Sequence, residues 1–150
     1  MANTTFQGPV TSKAGFITTG PANVVDADSS VSLTVATHSG KIVHNDAAGA
    51  VTYTLPATNA NSDSAIAGPG ADLNNLSNVG AKFEIFNSIT KTGDLVVQVA
   101  NATDVMIGGA LFIDDTSDNV VGFETASTSD TITLNGTTTG GVTFAKIECT

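Results

Sequence analysis

The chain has 150 residues, a formal net charge of −9 and only five basic residues, all of them lysine. Proteins that bind nucleic acid or an anionic membrane surface need clustered Lys and Arg, so this charge balance argues against both partners. Thr, Ala, Gly, Ser and Val are common and Trp is absent, a composition that favours strands and tight turns over helices. We therefore expect one all-β domain.

Residues 1–27 are predicted to form an extended N-terminal arm. Proline follows glycine at Gly8-Pro9 and at Gly20-Pro21, and proline biases its predecessor towards extended conformations. Four apolar side chains stand isolated in this segment: Phe6, Val10, Phe16 and Ile17. We predict that they contact a partner, for example by adding a strand to another sheet. The alternative is a disordered tail that contacts nothing.

Residues 28–150 have the pattern of a single β domain. Short apolar or alternating runs occur at residues 31–35, 41–44, 51–55, 83–85, 95–99, 105–113, 120–123, 131–134 and 142–147. Eight to ten short strands at this spacing predict a β-sandwich or a barrel-like domain, with a jelly roll among the options. The polar, Gly-Pro-broken stretch at about 57–79 predicts one long loop.

The stretch "HSGKIVHNDAAGAVTYTLP", residues 38–56, contains both histidines and Asp46. A metal site needs three or four converging ligands, and no third histidine is present to join His38 and His44. Gly40 also interrupts the strand that would place the two histidines on one face. A β-hairpin, with a turn that begins at Asn45-Asp46 and is completed by Ala47 to Gly49, is the favoured interpretation.

No catalytic, metal or cofactor site is predicted elsewhere. The acidic stretch "DDTSDN", Asp114 to Asn119, lacks the glycine and the correctly spaced glutamate of a calcium loop, so a turn is expected and ion binding stays open. Cys149 is the only cysteine and lies one residue from the end of the sequence. No Gly-x-Ser-x-Gly motif marks a nucleophilic serine. The expectation is a protein that is not an enzyme.

Three stretches, in order along the chain, carry a family resemblance. The first, "NTTFQGPVTSKAGF", has an F-x-G-P-V segment followed by Gly-Phe, and the second is the stretch at 38–56 with its H-x-G-K and T-L-P elements. The third is "VANATDVMIGGALFIDD" followed by "FETASTSDTITLNGTTTGG". Together they resemble head decoration (cement) proteins of tailed bacteriophages. The stretch at 57–79 fits that family least.

The resemblance implies a homotrimer on the outer surface of a phage capsid, assembled in the host cytoplasm, that clamps neighbouring major capsid subunits. The arm, through Phe6, Val10, Phe16 and Ile17, would make the capsid contact. The alternative is a tail-fibre or spike module that binds a host glycan. Glycan sites often stack sugars on exposed aromatic rings, and here only Tyr53 and phenylalanines are available for stacking. Neither interpretation needs a cofactor.

Overall fold

The computed structural model describes residues 23–58, 78–114 and 119–150. These residues form ten short strands and one helical turn, which confirms the predicted all-β class and the expected number of strands. The strands are β1 Val24–Asp26, β2 Val31–Ser32, β3 Ile42–Asn45, β4 Val51–Thr54, β5 Phe83–Asn87, β6 Leu95–Gln98, β7 Gly109–Asp114, β8 Asn119–Glu124, β9 Thr131–Leu134 and β10 Ala145–Cys149, and the helical turn α1 is Val35–His38. No helix within these ranges is long and apolar enough to cross a membrane.

Two mixed four-stranded sheets carry the fold. The first sheet has the order β1-β3-β5-β10 and the second has the order β2-β4-β6-β9. In each sheet the first three strands run parallel, and the fourth runs antiparallel to its neighbour. The chain therefore crosses from the first sheet to the second after β1, after β3 and after β5. These three connections lie side by side, because the strands before them pair in parallel and so do the strands after them. The remaining strands, β7 and β8, pair as a separate antiparallel hairpin.

Buried side chains from both sheets form one apolar core. Alternate residues of β3, β4, β5 and β6 are buried, as expected for strands with one face towards a core. The buried apolar residues are Leu33, Val43, Val51, Tyr53, Phe83, Ile85, Leu95, Val97 and Ile147. Full burial of a large apolar side chain contributes about 1.5–3 kcal/mol, so this cluster is the main stabilising feature of the domain.

Buried polar side chains lie where the chain passes between the sheets. Asn45 and Asn87 are register partners at the ends of β3 and β5, and the Asn45 side-chain amide donates to Asn87 Oδ1 at 2.8 Å. The buried Lys91 ammonium donates to the backbone carbonyls of Ala47 and Gly49, and its burial lowers its pKa. The two Lys91 bonds satisfy backbone carbonyls in the short connection from β3 to β4.

The predicted hairpin at residues 38–56 is wrong. β3 belongs to the first sheet and β4 to the second, so the two strands do not pair with each other. The physical reason is the polar anchoring of the turn: Asn45 bonds the carbonyl of Ala47, and the backbone amide of Thr92 bonds the carbonyl of Ala48 at 2.8 Å. A turn held in this way connects two stacked sheets instead of two neighbouring strands.

Two further sequence-based expectations need correction. The Gly-rich loop between β9 and β10 also joins strands of different sheets, so it is not a hairpin loop. Val35, expected to continue the strand from Val31, begins α1 instead. The Thr34 hydroxyl caps this turn by accepting from the Thr37 amide at 3.3 Å, and the Thr34 amide donates to His38 Nδ1 at 3.0 Å. β7 and β8 pair with each other and lie on either side of the acidic stretch.

Candidate functional site

The four predicted contact residues, Phe6, Val10, Phe16 and Ile17, lie outside the described residues, as does most of the predicted loop at 57–79. The described chain begins at Asn23, and β1 follows at once and pairs with β3. Residues 24–26 of the predicted arm are thus part of the first sheet. The surfaces described below therefore belong to the β domain.

A groove of about 690 Å³ lies at the end of the domain where β5 begins and β10 ends. We call it the hairpin groove because the residues just before β7 and the end of β8 form one wall. Its apolar lining includes Leu55, Phe83, Val105, Met106, Ile107 and Phe123. Cys149 also lines the groove, and burial raises the pKa of its thiol, which makes it a poor nucleophile.

Half of the exposed large apolar side chains of the described residues line the hairpin groove. Ile107 is 89% exposed and Phe123 is 58% exposed, and Val105 is also exposed. Single exposed apolar residues are ordinary, but several large ones around one groove are typical of a surface that contacts another molecule. The sequence analysis did not find this surface, because its residues come from separate stretches that only the fold brings together.

The polar residues of the hairpin groove have partners within the chain. Thr58 donates to Asp104 through both its hydroxyl, at 2.7 Å, and its backbone amide, at 3.1 Å. Asn101 adds a third bond to the same carboxylate at 2.8 Å. These bonds, chiefly those from Thr58, lower the pKa of Asp104. The carboxylate therefore fixes the wall of the groove, and recognition in the groove would depend mainly on its apolar side chains.

The outer face of the first sheet is charged but internally paired. Glu148 forms ion pairs with Lys82 at 3.1 Å and with Lys146 at 3.5 Å, and Lys146 also pairs with Glu84 at 3.0 Å. The Lys82 partner lowers the pKa of Glu148, and the Glu84 partner raises that of Lys146. Each of these charges already has a partner of opposite sign, so this face does not present a uniform field to a ligand.

The two histidines lie in different surroundings and do not share a site. His38 is buried and bonds Thr34, whereas His44 lies on the outer face of the first sheet between Asp26 and Ser88. Asp26 precedes His44 by 18 residues and Ser88 follows it by 44, so no local motif marks this trio. Sequence reasoning missed both partners of His44 for that reason.

The acidic stretch bounded by Asp114 and Asn119 is described only at its ends, where β7 stops and β8 begins. The turn expected there lies outside the described residues. In the part of the chain that the structure describes, no group of three or more His, Cys, Asp or Glu residues is arranged to hold a metal ion. No protein-family model, no curated protein and no solved structure matches this chain.

Proposed function

We propose that this chain is a non-enzymatic virion structural protein that binds the outer surface of a phage capsid. It would act as a homotrimer and clamp neighbouring major capsid subunits, after assembly in the host cytoplasm. In this proposal the two sheets form a sandwich-like domain, and the residues that precede β1 form an extended arm. The proposal rests on the exposed apolar side chains that line the hairpin groove. It also rests on the three stretches that, in their order along the chain, resemble cement proteins.

The groove and the arm would supply the contact area together. A stable protein–protein interface buries about 800 Å² on each partner, more than the few exposed apolar residues of the groove provide. Phe6 and Phe16 of the arm would add about 1.5–3 kcal/mol each if they became fully buried. Because such a protein binds only the assembled shell, each bound copy stabilises the shell by mass action.

The first test is the copy number of this chain in the virion, measured by quantitative mass spectrometry against the major capsid protein. A ratio of one per capsid subunit, or a simple fraction of it, would support the proposal. A handful of copies per particle would overturn it and would favour the tail-fibre or spike alternative, in which the chain binds a host glycan.

Deletion of residues 2–20 should abolish binding to shells of the major capsid protein, because it removes all four predicted contact residues. The deletion ends before β1, so the melting temperature of the β domain should stay unchanged. Binding is measured by co-sedimentation and folding by circular dichroism. A double substitution of the arm's polar residues, T11A/S12A, is the matched control and should bind normally. Normal binding by the deletion variant would contradict the role of the arm.

Replacement of Ile107 with serine should weaken shell binding at least about tenfold. Burial of a large apolar side chain contributes about 1.5–3 kcal/mol, and about 1.4 kcal/mol corresponds to a tenfold change in affinity. The side chain is 89% exposed, so stability should change by less than about 0.5 kcal/mol. The matched control is Val142→Ser, at an exposed valine that does not line the groove. Equal affinities of the two variants would show that the groove takes no part in binding.

A further inference from the structure

Asp26, His44 and Ser88 form a continuous hydrogen-bonded trio on the outer face of the first sheet. Asp26 Oδ1 lies 2.9 Å from His44 Nδ1, and His44 Nε2 lies 2.9 Å from Ser88 Oγ. The strand register produces this arrangement: Asp26 is the partner of His44, and His44 is the partner of Phe86. Ser88 follows Phe86 by two residues and so reaches the same face of the sheet.

The trio has a defined direction of proton donation. An ionised carboxylate only accepts hydrogen bonds, so the His44 Nδ1–H donates to Asp26, and in the neutral form of the imidazole the lone pair is then on Nε2. The Ser88 hydroxyl hydrogen then has two acceptors within reach, His44 Nε2 at 2.9 Å and the backbone carbonyl of Asn45 at 3.3 Å, and Nε2 is the nearer of the two. This is the arrangement in which a histidine removes a proton from a serine while a carboxylate holds the imidazole in the required tautomer.

An aromatic surface adjoins the trio. The His44 ring stacks on Phe86 with centroids 6.3 Å apart, and Phe86 contacts Phe144 at 6.0 Å. Phe144 is 71% exposed and has a φ of +70°, in the left-handed region that L side chains rarely adopt. Strained backbone of this kind tends to occur at functional sites. Here it presents a phenyl ring to solvent beside a serine and a histidine.

We propose that Ser88 is an activated nucleophile that accepts an acyl group from an ester whose apolar part lies against Phe86 and Phe144. Ser88 Oγ attacks the acyl carbon and gives its proton to His44 Nε2. The bond from the acyl carbon to the leaving oxygen then breaks, and His44 returns the proton to that oxygen. The products are an acyl–Ser88 ester and a free alcohol. Asp26 acts as a positioning residue through His44.

In this proposal, the two backbone amides that follow Ser88 in the chain would stabilise the developing oxyanion. The backbone amides of Ile89 and Thr90 donate none of the hydrogen bonds found among residues 23–58, 78–114 and 119–150. Two backbone amides without protein partners next to a nucleophile are the groups that such sites use to stabilise the negative oxygen. The inference goes beyond the structural role, because clamping a shell requires no covalent reactivity, and a single acylation requires no turnover.

The test is acylation of the full chain by p-nitrophenyl acetate, followed as release of p-nitrophenolate and located by peptide mass spectrometry. Ser88 should be acetylated about 100-fold faster than other hydroxyls, the lower end of what a positioned general base contributes. Ser88→Ala should abolish the fast phase, and His44→Ala should lose it and regain part of it when imidazole is added. Asp26→Asn should slow it about tenfold or more, since an asparagine favours the wrong tautomer.

Ser32 provides the matched control: it is exposed on β2, and its hydroxyl makes none of the hydrogen bonds found among the described residues. Ser32→Ala should keep the full rate, and circular dichroism melting checks that every variant is folded. A fluorophosphonate probe, which phosphonylates activated serines, should label Ser88 in the unmodified chain. Acetylation of Ser88 no faster than that of Ser32, or a fast phase that survives Ser88→Ala, would overturn the proposal.

Discussion

Replacement of Asn87 with alanine should lower the free energy of unfolding by about 3 kcal/mol, because it leaves several buried polar groups without partners. Asn87 is only 1% exposed. Its amide donates to the carbonyls of Ile89, Gly141 and Val142, and its Oδ1 accepts from Asn45. The substitution therefore removes a single group that ties the end of β5 both to β3 and to the loop before β10.

Urea denaturation measures this effect, with Asn101→Ala as the matched control. Asn101 also makes several side-chain hydrogen bonds, to Thr103 and Asp104, but they are exposed to water. Water replaces exposed bonds at little cost, so we expect a loss below about 1 kcal/mol for the control. If the two variants lose similar amounts of unfolding free energy, burial does not determine how much the Asn87 hydrogen bonds contribute to stability.

The same buried amides explain what could be predicted of the fold and what could not. Alternation of apolar and polar residues predicts strands well, because it reports which face of a strand is buried. It does not report which sheet a strand joins. That choice depends here on Asn45, Asn87 and Lys91, whose partners lie up to 55 residues away. The pattern therefore finds most of the strands, but it assigns β1 to the arm, places Val35 in a strand and takes two connections for hairpins.

The candidate sites show a similar division. Isolated phenylalanines in the first 27 residues are visible to sequence reasoning, because they stand outside any alternating pattern. The trio of Asp26, His44 and Ser88 is not, since parallel strands from different parts of the chain bring its members together. The exposed residues of the hairpin groove are equally invisible, because a sequence pattern does not tell an exposed isoleucine such as Ile107 from a buried one.

Replacement of Gly136 with alanine should have the largest effect on stability, a loss of more than about 3 kcal/mol of unfolding free energy. Gly136 has a φ of +78°, and a Cβ atom there would lie 2.0 Å from the carbonyl oxygen of Lys91. Neither backbone can move freely. The Lys91 amide is bonded to Gly141, and its ammonium group holds the turn between β3 and β4. The clash would therefore disturb both the turn between β3 and β4 and the loop between β9 and β10.

Two other glycines separate the clash from the backbone conformation. Gly40 has a similar φ of +70° with open space around the Cβ position, so Gly40→Ala should cost only the conformational strain, about 1–2 kcal/mol. Gly93 lacks a positive φ, but a Cβ there would lie 2.6 Å from the backbone nitrogen of Ala50, so Gly93→Ala measures the clash alone. In thermal and urea unfolding, Gly136→Ala should be less stable than Gly40→Ala, which has only the strain, and less stable than Gly93→Ala, which has only the clash. If it instead matches Gly40→Ala, the loop before β10 yields to the side chain, and Lys91 does not hold the two connections rigidly together.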